Sequence, residues 1–142
     1  MTREELLRRL KDKEDNFTER KVEGRANSAE MRRAIVAFAN SVPEGRSAVL
    51  FIGVADDGTP MGVGNTESIQ KKIRDTAERD CYPSVKHQCE VVNVDGKSVL
   101  AVVVPASSDR PHFSGPAFVR RGAESVVASA EMYEELIASR NT

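Results

Sequence analysis

The run SAVLFIGV, residues 47–54, is the strongest constraint in the 142-residue chain. It is apolar at consecutive positions, so an extended segment there presents hydrophobic side chains to both faces and needs cover on both. A central strand buried in a sheet meets that demand. QCEVVNV and KSVLAVVV, residues 88–94 and 97–104, flank Asp95-Gly96, a dipeptide suited to the tight turn of a β-hairpin. The sheet therefore has at least three strands.

Helical patterns supply the cover. Thr2 and Glu5 form a capping box before Leu6, Leu7 and Leu10, which predicts a helix from residue 2 to about 12. Asn27 and Glu30 mark a second start, followed by Met31, Ala34, Ile35, Phe38 and Ala39 at helical spacing, up to a stop near Pro43 and Gly45. A third helix is predicted over about 66–79, with Ile69, Ile73 and Ala77 inward and Lys71, Lys72 and Arg74 towards solvent. Ser129 opens a last helix with Met132, Tyr133, Leu136 and Ile137 inward. Asp57-Gly58 predicts a turn before a short strand through TPMGV, and PAFVRRG reads as a further strand. Without repeats or linkers, these elements describe one α+β domain over residues 1–142: a mixed or antiparallel sheet with flanking helices.

Hydrophobic residues at 39% and charged residues at 30% suit a globular protein, and no apolar run is long enough to span a bilayer. MTREELLRRL lacks the apolar core of a secretory signal, and two cysteines make no disulfide framework, so a cytoplasmic location is expected. The net charge of −1 excludes a surface that is basic throughout, while leaving room for a basic face. GTPMGVGNT lacks the third glycine of a dinucleotide fingerprint, and no P-loop sequence is present. His87 and Cys89 are two ligands where a closed zinc site needs four, which argues against zinc.

The segment EDNFTERK, residues 14–21, breaks the helical period after the first helix. In an extended chain, Phe17, Glu19 and Lys21 share one face, which places Glu19 beside Lys21. Lys21 can then pair with Glu19 or with a phosphate oxygen.

An ordered set of short features runs through most of the chain: Glu14, Glu19-Arg20-Lys21, Ala37-Phe38-Ala39-Asn40, Glu44-Gly45, Gly53-Val54, Asp56-Asp57-Gly58 and Arg121-Gly122. In this order they resemble the Schlafen AlbA-like family, a domain type associated with DNA binding, over about residues 14–137. The resemblance implies a nucleic-acid-binding module for DNA or structured RNA, and the basic clusters on the third helix and at the end of PAFVRRG, Lys71, Lys72 and Arg74 with Arg120 and Arg121, are the candidate phosphate contacts. It also implies an alternative, a metal-dependent endoribonuclease. There Glu14, Glu19 and Asp56 would hold Mg²⁺ or Mn²⁺, for which carboxylate oxygens are suitable ligands, and Lys21 would steady the phosphate. Because eukaryotic relatives pair two such lobes in one chain, the resemblance further implies a homodimer. A protein-interaction domain with no nucleic-acid role is the third reading.

Overall fold

The computed structural model describes residues 1–11 and 17–139. Four strands form its main sheet: β1 (Thr18–Lys21), β2 (Ser47–Ile52), β3 (Gln88–Val94) and β4 (Lys97–Pro105), in the order β1-β2-β4-β3. β1 runs parallel to β2, with Glu19 opposite Leu50 and Lys21 opposite Ile52. The pairs β2–β4 and β4–β3 are antiparallel. The sheet is thus mixed, with the apolar run of residues 47–52 at its interior.

Both faces of β2 are covered, as its composition requires. Ala48, Leu50 and Ile52 join Leu100, Val102 and Val104 of β4 in a core with Met31, Ile35 and Phe38 of α2 (Ser28–Ser41) and Ile69 and Ile73 of α3 (Thr66–Arg79). Val49 and Phe51 face the other way, towards Leu6 and Leu10 of α1 (Arg3–Lys11). The helix starts follow the capping chemistry in the sequence. Thr2 Oγ1 accepts from the Glu5 N–H and Glu5 accepts from the Thr2 N–H, at 3.1 and 3.3 Å. Asn27 accepts from the Glu30 N–H at 2.9 Å, and Asn65 caps α3 in the same way. At the β3–β4 turn Asp95 and Gly96 both have positive φ, 52° and 78°, the backbone of a type I′ hairpin.

A second, two-stranded sheet, β5 (Phe118–Arg121) with β6 (Glu124–Val127), packs on α2, and α4 (Ala130–Ser139) closes the described chain. Two expectations need correction. TPMGV forms no strand: only one bridge, Val54 to Pro60, joins it to the preceding segment. Pro60 offers no N–H, and Gly62 at φ +86° turns the backbone out of the extended range. Ile137 is exposed on α4, while Leu136 is the helix's buried residue. A ten-residue helix against a small sheet buries a narrower stripe than four apolar residues occupy.

Candidate functional site

All four residues of β1 are buried, although Glu19, Arg20 and Lys21 are ionisable. Charges in such a place need partners. Alternation sends Arg20 to the α1 side, where Nη2 donates to the Leu10 carbonyl at 2.8 Å, near the negative end of the helix. Arg9 pins the start of the strand, donating to Thr18 Oγ1, the Phe17 carbonyl and the Ser47 carbonyl at 3.0, 2.6 and 3.3 Å.

Glu19 and Lys21 face the other side and meet, as their spacing predicts. Lys21 Nζ lies 2.9 Å from Glu19 Oε2 and 2.9 Å from Glu30 Oε2. Arg120 Nη1 reaches Glu19 Oε1 at 2.5 Å, donates to Ser125 Oγ at 3.2 Å, and its guanidinium carbon stands 5.0 Å from the centre of the Phe38 ring. Arg25 lies 3.9 Å from Glu30 at the solvent edge. The result is an alternating chain of charge, Arg120–Glu19–Lys21–Glu30–Arg25. Only Lys21 donates a hydrogen bond to Glu30; towards Glu19 Oε2 it is an ion-pair partner without hydrogen-bond alignment, so that oxygen is buried with no donor. The Lys21 hydrogen bond and charge hold the Glu30 carboxyl below its ordinary value.

A cleft of about 330 Å³ opens over this chain. Asp56 stands at its wall because the backbone after β2 is tied to β1. Gly53 N and Val54 N both donate to the Lys21 carbonyl, and the Gly53 carbonyl accepts from Met61 and Gly62. Gly53 is required there: its φ is +94°, and a Cβ would come within 2.8 Å of Val63 Cγ2 and 3.0 Å of the Gly62 carbonyl carbon. Arg33 of α2 and Glu124 at the start of β6 complete the rim. Among the described residues, carboxylates (Glu19, Glu30, Asp56, Glu124) and bases (Lys21, Arg25, Arg33) both line the cleft, so it carries charges of both signs.

The structure therefore gathers Glu19, Lys21 and Asp56. Glu14 lies outside the described residues. Among the described residues no group of three His, Cys, Asp or Glu side chains is placed to hold a metal ion, and Glu19 already has two cationic partners. Those residues alone do not fit a divalent cation. The expected phosphate contacts divide. Lys71, Lys72 and Arg74 are exposed on α3 and Arg121 is exposed at the end of β5, whereas the Arg120 side chain is fully buried against Glu19. Burial also pushes the thiols of Cys81 and Cys89 up to about 12 and about 11.

Glu30, Arg25 and Arg33 were not picked out by the sequence as site residues. Glu30 served there only as a helix-start signal, and no local pattern ties it to Lys21. Arg120 did leave a signal: period-two alternation puts it on the same face as Phe118, which is buried against the main core, and Arg121 on the opposite one.

Similarity to solved structures supports the fold. Over 92% of this chain and 91% of the other, the structure is similar to the solution NMR structure of the N-terminal domain of a Nitrosomonas europaea protein described as related to the ATP-dependent DNA helicase RecG, at TM-score 0.67 and 20% identity. It is also similar to the crystal structure of the DIP2311 protein from Corynebacterium diphtheriae, over 87% of this chain and 24% of the other, at TM-score 0.60 and 19% identity. No curated protein matches the chain in sequence. The family model described as Schlafen, AlbA_2 matches residues 14–129, a span that takes in β1, the Asp56 turn and Arg120, and the chain belongs to that family.

Proposed function

We propose that this domain binds nucleic acid through the phosphate backbone, with Lys71, Lys72, Arg74 and Arg121 as the principal contacts. One observation carries the reading: the fold separates its bases into two sets. Arg9, Arg20, Lys21 and Arg120 are consumed by internal carbonyls and carboxylates. Lys71, Lys72, Arg74 and Arg121 are exposed, and their side chains form no ion pair or hydrogen bond among the described residues. Exposed, unpaired bases neutralise phosphates without first breaking a native contact, and they confer affinity without reading sequence. Family membership and the fold shared with the domain of a RecG-related protein support the same direction.

The test is fluorescence anisotropy with labelled tRNA and labelled duplex DNA at low ionic strength. The expected result is binding that weakens steeply with salt. In a Lys71→Ala/Lys72→Ala/Arg74→Ala variant the slope of log affinity against log salt on duplex DNA should fall by about 3, roughly one per base removed. A variant that binds as the parent does removes these residues from the interface. Two copies of the chain would double the number of such contacts, and a dimer mass in light scattering with nucleic acid present is the matching expectation.

A second reading, a Mg²⁺- or Mn²⁺-dependent endoribonuclease, is favoured by the meeting of Glu19, Lys21 and Asp56 in one cleft. It needs a further carboxylate, for which Glu14 is the candidate. If it holds, structured RNA incubated with Mn²⁺ is cleaved, and Asp56→Ala lowers the rate by orders of magnitude while leaving the fold intact, since Asp56 is exposed. Cleavage undiminished in that variant rules it out.

A further inference from the structure

A serine and a histidine meet on the loop after β4, away from the charged cleft and sharing no lining residue with it. His112 is buried, 1% exposed, and its ring is fixed at both nitrogens. Nδ1 lies 2.7 Å from the Pro83 carbonyl and Nε2 lies 2.6 Å from Ser107 Oγ. A carbonyl oxygen only accepts, so the proton is on Nδ1 and Nε2 presents its lone pair to the Ser107 hydroxyl. The backbone holds the ring in register, because Asn40 accepts from the His112 N–H at 2.8 Å and donates to its carbonyl at 3.0 Å. Ser107 Oγ accepts from the Asp109 N–H at 3.1 Å, so its own hydrogen is directed at the imidazole.

Ser107 is half-buried and lines a small cavity of about 50 Å³ together with Lys86 and Ser108. The N–H of Ser108, the residue after the serine, has no partner among the described residues. The arrangement contains a hydroxyl nucleophile in contact with a base, the base oriented by a third group, and an unused N–H beside a cavity that Lys86 also lines. At roughly 10–15 Å³ of such space per water, the cavity has room for about four small groups, the size of an acetyl ester rather than a long acyl chain.

We propose that Ser107 and His112 form a nucleophile–base pair that transfers short acyl groups from esters to water. Ser107 Oγ attacks the acyl carbon as its proton passes to His112 Nε2, and the ester C–O bond breaks. The departing alkoxide takes the proton from Nε2, leaving an acyl-serine and an alcohol. Water then gives a proton to Nε2 and adds to the acyl carbon, and Ser107 leaves as the hydroxyl, taking that proton back. Carboxylic acid and the starting enzyme result. Burial lowers the pKa of His112 below its ordinary value of 6.5, so the ring is neutral and able to accept the proton at pH 7.

The experiment treats the full chain with a fluorophosphonate probe and locates the adduct by peptide mass. The expected result is modification at Ser107 at least tenfold faster than at Ser84 or Ser108 in the same cavity wall, at a rate that falls on acidification through the His112 pKa. Urea should abolish the preference. Ser107→Ala should lose the adduct and bring p-nitrophenyl acetate hydrolysis down to the buffer rate, while Ser68→Ala, exposed on α3 and away from the cavity, keeps both. His112→Gln, where it folds, should slow labelling at least a hundredfold; the pH profile of the unaltered protein carries the same information where it does not. Labelling of Ser107 no faster than of its neighbouring serines, no adduct at all, or a rate independent of pH in the folded protein overturns the proposal.

Discussion

Glu19→Ala is expected to cost about 3–5 kcal/mol of stability, a large share of what a domain of this size has. The removed carboxylate is the shared anion of two cations: Arg120, whose side chain is fully buried, and Lys21, nearly so. Without it, the buried Arg120 guanidinium loses its 2.5 Å carboxylate partner, while Ser125 and the Phe38 ring stay near it. Lys21 retains Glu30 and suffers less. The loss therefore comes mainly from Arg120, so Glu19→Ala combined with Arg120→Met should recover part of the stability lost in the single variant. Urea denaturation of the two single variants and the double variant checks this. Asp56→Ala, on the same cleft but exposed, should stay within about 0.5 kcal/mol of the parent. A Glu19→Ala protein as stable as the parent would mean that the charge chain has no structural role.

Asn40→Ala is expected to cost at least about 3 kcal/mol, for a reason of hydrogen bonding rather than charge. Asn40 is buried at the end of α2, and its amide makes three hydrogen bonds to backbone: it accepts from the His112 N–H and donates to the carbonyls of His112 and Phe118. Those groups have water as a partner in the unfolded chain and lose any partner in the folded variant. Asn40→Asp should rescue little, because a carboxylate can keep the bond from the His112 N–H but opposes two carbonyl oxygens. Thermal or urea unfolding of both variants beside Glu44→Ala, an exposed control, measures the difference. Equal stability of Asn40→Ala and the control would show that the α2–β5 contact survives without this tether.

What could be read from the sequence depended on how far apart the interacting residues lie. Thr2 with Glu5 and Asn27 with Glu30 carry their partners within one helical turn, and those caps formed as expected. Glu19 and Lys21 are two residues apart on a strand, so alternation alone brings them together. The partnership of Glu19 with Arg120 spans 101 residues of chain, and it exists only because α2 packs on both the main sheet and β5. Alternation could orient Arg120 inward; it could not name the acid it would find. The Ala-Phe-Ala-Asn signature is similar in this respect: its periodicity buries the helix, but the backbone that Asn40 holds is more than 70 residues away. TPMGV shows the opposite failure. A local turn signal was followed by a segment whose Pro60 and Gly62 cannot sustain a ladder, and the loop instead carries Asp56 to the cleft wall.

The claim that exposed bases on α3 and at the end of β5 meet phosphates is tested most directly by NMR, with ¹⁵N-labelled protein titrated with tRNA or duplex DNA at low ionic strength. The account predicts shift changes concentrated at Lys71, Lys72, Arg74 and Arg121, reversed by added salt, with the buried Arg120–Glu19 pair little affected. No change with either nucleic acid, or changes confined to surfaces away from these four residues, would contradict it.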